Sequence, residues 1–288
     1  MVRRSICFTV ANAAFLLLLA LAMLLPFLHV VAKSLSSEAA VVSGLVAFLP
    51  VDFQTGTFRY VLSQPQTAGS FRVSVFVTVV GTLLSLLLTT IAAYPLSKPS
   101  LRGRKWLLLA FVFTMLFGGG MIPNYLLVKR LGLTNTVWAM ILPSLLNVFN
   151  MLVMKSFFEE LPASLEEAAK MDGCSNAGVL FRIVLPVSLP VLATVALFYS
   201  VSYWNDFFTA LLYVSKAGLK PLQLYLYELL TRSLATPDRT LTADEMLNLT
   251  PDCVRAATVV ITTAPILAVY PFLQKYFVKG MILGSVKG

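Results

Sequence analysis

Residues 161 to 173 have the most specific residue types and spacing in this sequence. Ser164 and Glu167 stand at capping-box spacing, in which the hydroxyl accepts from the amide three residues later and the carboxylate reaches back. Good helix formers follow, and Gly173 comes where helices commonly end in a left-handed residue. The segment therefore predicts a short, bounded helix. Local physics fits a linker helix at the membrane interface as well as it fits a docking element.

No residues stand at a spacing typical of catalysis, so the candidate chemistry is binding. There is no pairing of a nucleophile with a base and no Gly-x-x-x-x-Gly-Lys-Ser/Thr phosphate loop. The glycines at 118–120 lack the lysine and predict a helix break or a close-packing point. Cys7, Cys174 and Cys253 are far apart, and His29 has no spaced partner. We expect no catalytic residue, no metal site and no cofactor bound by this chain.

A second group of polar and aromatic residues lies inside apolar runs, where burial in lipid is costly. Asn147 and Asn150 are three residues apart and would share one helix face. Aromatic and hydrogen-bonding groups suited to the faces and hydroxyls of a sugar follow at Tyr199, Tyr203, Trp204, Asn205 and Asp206. The alternative is that the asparagines join neighbouring helices, while Tyr203 and Trp204 anchor the chain at the membrane interface.

The composition identifies the solvent that these residues face. Of the 288 residues, 58% are hydrophobic and only 12% are charged. A soluble domain carries roughly a quarter charged residues, so most of this surface is expected to face lipid. The net charge of +9 does not indicate nucleic-acid binding, because the basic residues lie in short segments between apolar runs. The chain is predicted to be an all-α polytopic membrane protein.

The apolar runs predict about six membrane-spanning helices, at roughly 20 residues per span. The predicted spans are Ile6 to Ala32, Phe71 to Leu96, Trp106 to about Val128, Val137 to about Met154, Pro186 to about Leu212, and Ala256 to about Phe277. The first run is about twice the length of a signal-peptide core, which favours an uncleaved span over cleavage after Ala32. A polar loop is expected at 33–70, and a long external loop at 213–255.

Basic residues between the second and third spans predict the orientation. This short loop holds four cations and no acid, namely Lys98, Arg102, Arg104 and Lys105. Such loops are retained in the cytoplasm, which also places the segment 155–185 there. Both termini are then cytoplasmic, in keeping with Arg3 and Arg4 at one end and Lys279 and Lys287 at the other.

The cytoplasmic segment resembles the loop signature, called the EAA motif, of ATP-binding-cassette importer permeases. Glu-Ala-Ala is followed by three residues, a glycine, nine more residues and Ile-x-Leu-Pro. The matching positions are Glu167, Ala168, Ala169, Asp172, Gly173, Ile183, Leu185 and Pro186. From about Val77 to Gly288 the chain is similar to the maltose-permease-type carbohydrate branch, especially its LplC-like members. Further matches are Tyr94-Pro95, Gly119-Gly120, Trp204-Asn205 and the tail Tyr276 to Gly280.

The resemblance implies a type I importer permease fold, also called MetI-like. The apolar runs predict residues 1–70 as a first span with an external loop. The resemblance implies 71–288 as a permease core with five spans and a coupling loop at 155–185. The loop helix would dock in a partner ATPase, with Glu167 contacting a basic residue, Ala168 and Ala169 permitting close approach, and Gly173 permitting the turn. Rigid-body movement would then switch the spans.

The same resemblance implies a set of partners in a bacterial or archaeal plasma membrane. These are a second permease subunit, two cytoplasmic ATPase subunits that bind ATP and Mg, an external solute-binding protein and an oligosaccharide. The loop does not identify the cargo, so an amino acid, a polyamine or phosphate remains an alternative. An ion-gradient-driven transporter would need paired carboxylates in its spans. A membrane scaffold would not need the spaced loop.

Overall fold

The computed structural model describes residues 6–235 and 251–285, and every regular element within those two ranges is helical. The basic residues Arg3, Arg4 and Lys287 lie outside the described residues, as does most of the loop 236–252, for which the sequence offers no motif. The chain forms two compact units. One contains residues 1–68 and 226–265, and the other contains residues 69–225 and 266–288.

The α-helices follow one another through the whole described chain. They are α1 (Ile6–Ser34), α2 (Glu38–Val42), α3 (Gly56–Ser63), α4 (Pro65–Ser97), α5 (Arg104–Leu116), α6 (Met121–Arg130), α7 (Trp138–Ile141), α8 (Val148–Glu159), α9 (Ala163–Met171), α10 (Asn176–Val179), α11 (Leu185–Val187), α12 (Leu189–Asn205), α13 (Phe208–Tyr213), α14 (Leu222–Ala235) and α15 (Pro251–Ser285). A π-helical turn at Leu180–Val184 joins α10 to α11, and 3₁₀ turns lie at Leu142–Ser144 and Ala217–Leu219.

Three of these helices are long and apolar enough to cross a bilayer as single elements. They include residues Phe8–Ser34 of α1, all of α4, and Pro251–Ala268 of α15. Three further pairs of helices are long and apolar enough only when taken together, and each pair meets at a bend. Counting each bent pair as one span gives up to six crossings, which is the number that the sequence predicts.

The bends occur where the backbone cannot continue as one helix. The predicted glycine break is confirmed: α5 and α6 meet at 109°, and Gly120 between them has a φ of 85°. Asn147 has an extended conformation before α8, where the bend is 51°. Ser188 ends the helical φ/ψ run before α12, where the bend is 84°. These breaks determine which polar side chains lie at the ends of helices.

Several of the predicted boundaries are wrong. The fifth span does not run from Pro186 to Leu212 as one helix, because Ser188 divides its start and α12 ends at Asn205. Asp206 then adopts an extended conformation, and the separate helix α13 begins at Phe208. The predicted loop at 33–70 contains α2 and α3, and α4 begins six residues before the predicted Phe71. The predicted external loop at 213–255 contains α14 and the start of α15.

The first unit has a small core beside the end of α1. Ala32, Ala40, Val41, Val46 and Cys253 are buried together. The chain after α2 is held back to α1 by two backbone hydrogen bonds, from the amide of residue 37 to the carbonyl of 51 (3.0 Å) and from the amide of 54 to the carbonyl of 35 (2.9 Å). Burial in this small structure raises the pKa of the Glu38 carboxyl above its usual range.

The second unit has a larger core between α4, α8 and α12. Met151, Met154 and Phe158 of α8 are almost fully buried, as is Val195 of α12. Gly81 of α4 permits the closest approach, because a Cβ atom there would lie 2.8 Å from the ring of Tyr203. The hydroxyls of Tyr199 and Tyr203 point at α4, so this packing fixes the middle of the three spans against one another.

Candidate functional site

The short helix predicted within residues 161–173 exists as α9 and ends as the sequence indicates. Gly173 has a left-handed φ of 80°. Its amide donates to the carbonyl of Lys170 (3.0 Å), and the amide of Cys174 donates to the carbonyl of Ala169 (3.0 Å). These two bonds define a Schellman motif, which satisfies carbonyls that the end of a helix leaves without partners. Gly173 therefore allows the chain to reverse directly after α9.

The predicted capping box at the start of this helix is wrong. Helix α9 begins at Ala163 with Pro162 in the capping position, and no side chain caps its amides. Ser164 consequently lies inside the first turn, two residues after the capping position. A true side-chain cap occurs at the next element, where Ser175 accepts from the amide of Gly178 at 3.2 Å and starts α10.

Helix α9 has one face against its own chain and one face exposed. Glu166 and Ala169, three residues apart, are buried. Glu167, Ala168 and Asp172 are exposed, so three of the predicted contact residues are accessible to a partner. Ala169 contacts this chain's own core, and its small size therefore serves the approach of α9 to the rest of the permease.

The exposed face of α9 is not purely polar. Leu165 and Met171 have exposed fractions of 40% and 83%, although both are apolar. Together with Ala168 they present an apolar strip of one and a half turns beside the carboxylate of Glu167. Such a strip on an accessible helix is typical of a docking surface.

Two ion-pair clusters hold this region to neighbouring segments. Lys98, directly after α4, pairs with Glu166 of α9, and its ammonium lies 4.8 Å above the centre of the Tyr94 ring. Arg104 at the start of α5 pairs with Glu159 at the end of α8, and Lys155 pairs with the same carboxylate at 2.8 Å. Two of the four loop cations that the sequence leaves uncompensated thus have acidic partners far along the chain.

The second half of the predicted motif leads into the core. Ile183 and Leu185 are half-buried and pack against the core of the second unit, whereas Pro186 is exposed at the start of α11. Beside them, a cavity of about 560 Å³ opens between the end of α9 and the π-helical turn. Its lining includes Asp172, Gly173, Cys174, Ser175, Phe181 and Arg182.

The residues predicted to line a pathway separate into two groups. Four of them surround one open pocket of about 520 Å³ between α8 and α12, namely Asn147, Asn150, Tyr199 and Tyr203. The pocket also contains residues that sequence reasoning missed, among them Ser144, Phe149, Phe198 and Ser202. Its lining carries amide, hydroxyl and aromatic groups and no charged side chain.

Hydrogen bonds within the chain limit what these groups can offer a ligand. The Asn147 side-chain oxygen accepts from the amide of Asn150 at 3.1 Å and caps α8. The Tyr199 hydroxyl accepts from the amide of Asn147 at 2.9 Å and bonds to the Thr89 hydroxyl at 2.7 Å. The Tyr203 hydroxyl bonds to the Ser85 hydroxyl at 2.9 Å. The tyrosines therefore offer the pocket their rings, while their hydroxyls fix its shape.

The remaining three predicted pathway residues do not line this pocket. Trp204 is 8% exposed and packs edge-to-face on Phe71, with ring centres 6.1 Å apart. Asn205 is exposed and donates to the carbonyl of Val201 at 3.0 Å. Asp206 accepts from the amide of Thr209 in the first turn of α13 at 3.0 Å. Asn205 and Asp206 therefore bond within their own segment, and Trp204 packs on α4.

The sequence contained a usable signal for part of what was missed. Ser85 and Thr89 are four residues apart on α4, and Tyr199 and Tyr203 are four apart on α12, so each pair shares a helix face. The equal spacing indicates that two side-chain hydrogen bonds, one from each pair, can join the same two helices. Among the residues that the structure describes, no three His, Cys, Asp or Glu side chains lie close enough to hold a metal ion.

Comparison with known proteins gives one consistent result. LplC of Bacillus subtilis is 49% identical over 98% of this chain and 95% of its own length. The polygalacturonan/rhamnogalacturonan transport system permease protein YtcP of the same organism is 46% identical over 95% of this chain and 96% of its own length. A solved structure of a bacterial ABC transporter involved in the import of the acidic polysaccharide alginate matches with a TM-score of 0.85 and 34% identity. That match covers 96% of this chain and 99% of the other.

The family comparison covers most of the permease core. Residues 79–283 match the model described as binding-protein-dependent transport system inner membrane component. That range contains α9, both ion-pair clusters and the pocket between α8 and α12. The chain therefore belongs to the family of inner membrane components of binding-protein-dependent transport systems.

Proposed function

We propose that this chain is the permease subunit of an ATP-binding-cassette importer that carries an oligosaccharide across a prokaryotic plasma membrane. The near full-length similarity to a polygalacturonan/rhamnogalacturonan permease and to an alginate importer supports this cargo class. The single observation that carries the mechanism is the exposed helix α9, bounded by Gly173 at the predicted position of the loop signature.

Helix α9 is the element through which the chain would receive the work of ATP hydrolysis. Its exposed apolar strip would lie in a cleft of a cytoplasmic ATPase, and the exposed Glu167 carboxylate would contact a basic residue there. The proposal includes two ATPase subunits that bind ATP and Mg, a second permease subunit and an external solute-binding protein. This chain supplies no catalytic group and binds no cofactor of its own in this scheme.

The pocket between α8 and α12 is the candidate part of the sugar pathway. A sugar presents hydroxyls around its rim and apolar C–H faces, and the pocket offers side-chain amides and hydroxyls beside Phe149 and Phe198, whose ring centres are 6.5 Å apart. The side-chain oxygen of Asn147 already caps α8. We therefore expect the side-chain amide nitrogen of Asn147 to be the donor that reaches a sugar oxygen. The movement of α9 would open this pocket alternately to the two sides.

The test is purification of the chain from its native membrane in mild detergent, with partners identified by mass spectrometry. We expect an ATPase and a second permease to co-purify, and we expect the ATPase to be lost from a Glu167→Gln, Gly173→Pro double variant. Glu160→Gln is the control, because Glu160 is an exposed acid in the same segment. A chain that purifies alone, with the double variant behaving identically, would contradict the proposal.

The cargo is then tested on the purified complex. Oligosaccharides loaded onto the co-purified binding protein should raise the rate of ATP hydrolysis, and amino acids, polyamines and phosphate serve as the comparison set. Stimulation by one of these other solutes alone would retain the importer mechanism and replace the oligosaccharide assignment.

A further inference from the structure

The ion pair between Lys98 and Glu166 joins the docking helix α9 to a membrane-spanning helix. Lys98 follows the last residue of α4, and Glu166 lies on the face of α9 that is turned to the chain's own core. The exposed fractions of the two side chains are 28% and 12%, so water screens the pair only partly. The Lys98 ammonium also lies over the Tyr94 ring, which packs edge-to-face on Phe158.

Helix α4 continues from this ion pair to the pocket without a break. It is helical from Pro65 to Ser97. Thr89 and Ser85 bond to the hydroxyls of Tyr199 and Tyr203, which line the pocket. At 1.5 Å per residue, Thr89 is about 14 Å along the helix from Lys98. One continuous helix, with Pro95 in its last turn, therefore connects the partly buried face of α9 with two rings of the pocket.

We propose that Lys98 and Glu166 are positioning residues that make α4 move together with α9, so that movement of the docking helix reaches the pocket through α4. This inference rests on the proposed function. Covalently, α9 continues only into the segments leading to α8 and α10. The Tyr94 side chain of α4 also interacts with the Glu166 carboxylate, so α4 meets this acid through an ammonium and a phenol. The ion pair is the charge-assisted part of this contact, and such bonds are roughly twice as strong as neutral ones.

The second cluster does not provide this connection. Arg104 and Lys155 meet at Glu159, and this contact joins the start of α5 to the end of α8 without including α9. The Tyr94 ring also helps to hold the Lys98 ammonium beside α4, because a cation is attracted to an aromatic face. Lys98 is thus the cation that ties the docking helix to α4.

The test compares variants of the complete transporter, with both permeases, the ATPases and the binding protein, in liposomes. The measured quantity is sugar imported per ATP hydrolysed. Lys98→Gln and Glu166→Gln should each lower this ratio about three- to tenfold, in the range that coupling residues produce. Lys98→Arg should keep it near the native value, and the exchange Lys98→Glu with Glu166→Lys should restore most of it. Lys105→Gln, a neighbouring exposed cation, is the control and should change nothing.

A purely structural role would give a different pattern. It would lower the yield or melting temperature of the complex and leave the sugar-to-ATP ratio of the assembled fraction unchanged, and that result would overturn the inference. An exchange variant that imports no better than the single variants would overturn it as well. Failure of the proposed function is distinct, because the native complex itself would then import no sugar.

Discussion

At the scale of single residues, one glycine on α4 determines how closely α12 can approach. A Cβ atom at Gly81 would lie 2.8 Å from two atoms of the Tyr203 ring, a distance at which the ring must move. We expect Gly81→Ala to lower the stability of the permease by about 1–3 kcal/mol through overpacking, and to break the bond between Tyr203 and Ser85. The measurement is thermal unfolding of the purified complex.

The same helix offers a matched control for that substitution. Gly69 is also in α4, and a Cβ atom there meets nothing within 4 Å. Gly69→Ala should raise stability by about 0.5–1 kcal/mol, because alanine is the better helix former. Equal effects at the two positions would mean that the ring of Tyr203 does not pack on α4 as described.

Gly173 tests the docking helix at a single position. Its φ of 80° costs an alanine roughly 1–2 kcal/mol, and proline cannot adopt it. Proline would also remove the amide that donates to Lys170. We expect Gly173→Pro to abolish transport while the amount of folded permease in the membrane stays near native, measured by sugar uptake and by fluorescence-detected gel filtration.

Gly132 provides the comparison for backbone strain alone. It has a φ of 70° and an open Cβ position, but it follows α6, far along the chain from the docking helix. Gly132→Ala should reduce stability about as much as Gly173→Ala and leave transport per folded molecule unchanged. Loss of transport in the Gly132 variant would mean that backbone strain alone abolishes transport, and that Gly173 has no separate role in docking.

At the scale of elements, α9 separates two neighbouring alanines by function. Ala169 is 4% exposed against the core, and Ala168 is exposed. We expect Ala169→Leu to destabilise the permease by about 1–3 kcal/mol, because the added methyl groups must enter a packed core. Ala168→Leu should change stability by less than about 0.5 kcal/mol and still reduce co-purification of the ATPase.

The two alanine variants are read together, by thermal unfolding and by the amount of ATPase recovered. Ala169→Leu should lower the unfolding temperature and leave ATPase recovery unchanged, and Ala168→Leu should do the reverse. A permease that loses the ATPase only when Ala169 is changed would mean that α9 docks through the opposite face.

The elements that the sequence predicted correctly are those encoded by local residues. Gly120 lies in the break between α5 and α6, and Gly173 follows α9, because no other residue adopts their positive φ as easily. The break at Ser188 was missed, since the prolines around it fit the first turn of a single helix. The helix α2 has only five residues, too few for hydrophobic periodicity to be visible.

Long-range contacts explain most of the remaining differences at the site. Lys98 and Glu166 are separated by 68 positions, so the loop that holds four cations looked uncompensated. The sequence predicted that Asn147, Asn150, Tyr199 and Tyr203 would line a pathway, and all four line the pocket. It did not predict that the two tyrosine hydroxyls bond to α4. Residue types indicate which groups prefer the interior, and only the packing of helices decides which partner each group meets.

At the scale of the whole molecule, contacts within the second unit join its loops into two clusters. In one cluster, Lys98 meets Glu166, and Arg104 meets Glu159. In the other, the Asn135 side chain accepts from the amides of Ser215 and Lys216 at 2.6 and 3.1 Å. The loop rich in cations and the docking helix therefore share one side of the membrane, whichever side that is.

Labelling of introduced cysteines tests the orientation. Lys105 and Lys216 are exposed cations, one beside each of these two loop clusters, so Lys105→Cys and Lys216→Cys are matched variants. In intact cells, a membrane-impermeant maleimide should label Lys216→Cys strongly and Lys105→Cys only after the membrane is opened, because short loops dense in Lys and Arg are retained in the cytoplasm. The native chain gives the background from its own cysteines.

The reverse labelling pattern would have a consequence beyond topology. Since Lys98 contacts Glu166, an external position for residue 105 would carry α9 outside with it, where no cytoplasmic ATPase could dock. The same experiment therefore tests the membrane orientation and the coupling role of α9. Protection of Lys105→Cys in intact cells, combined with loss of the ATPase from the Ala168→Leu variant, would establish that α9 is the cytoplasmic contact of this permease.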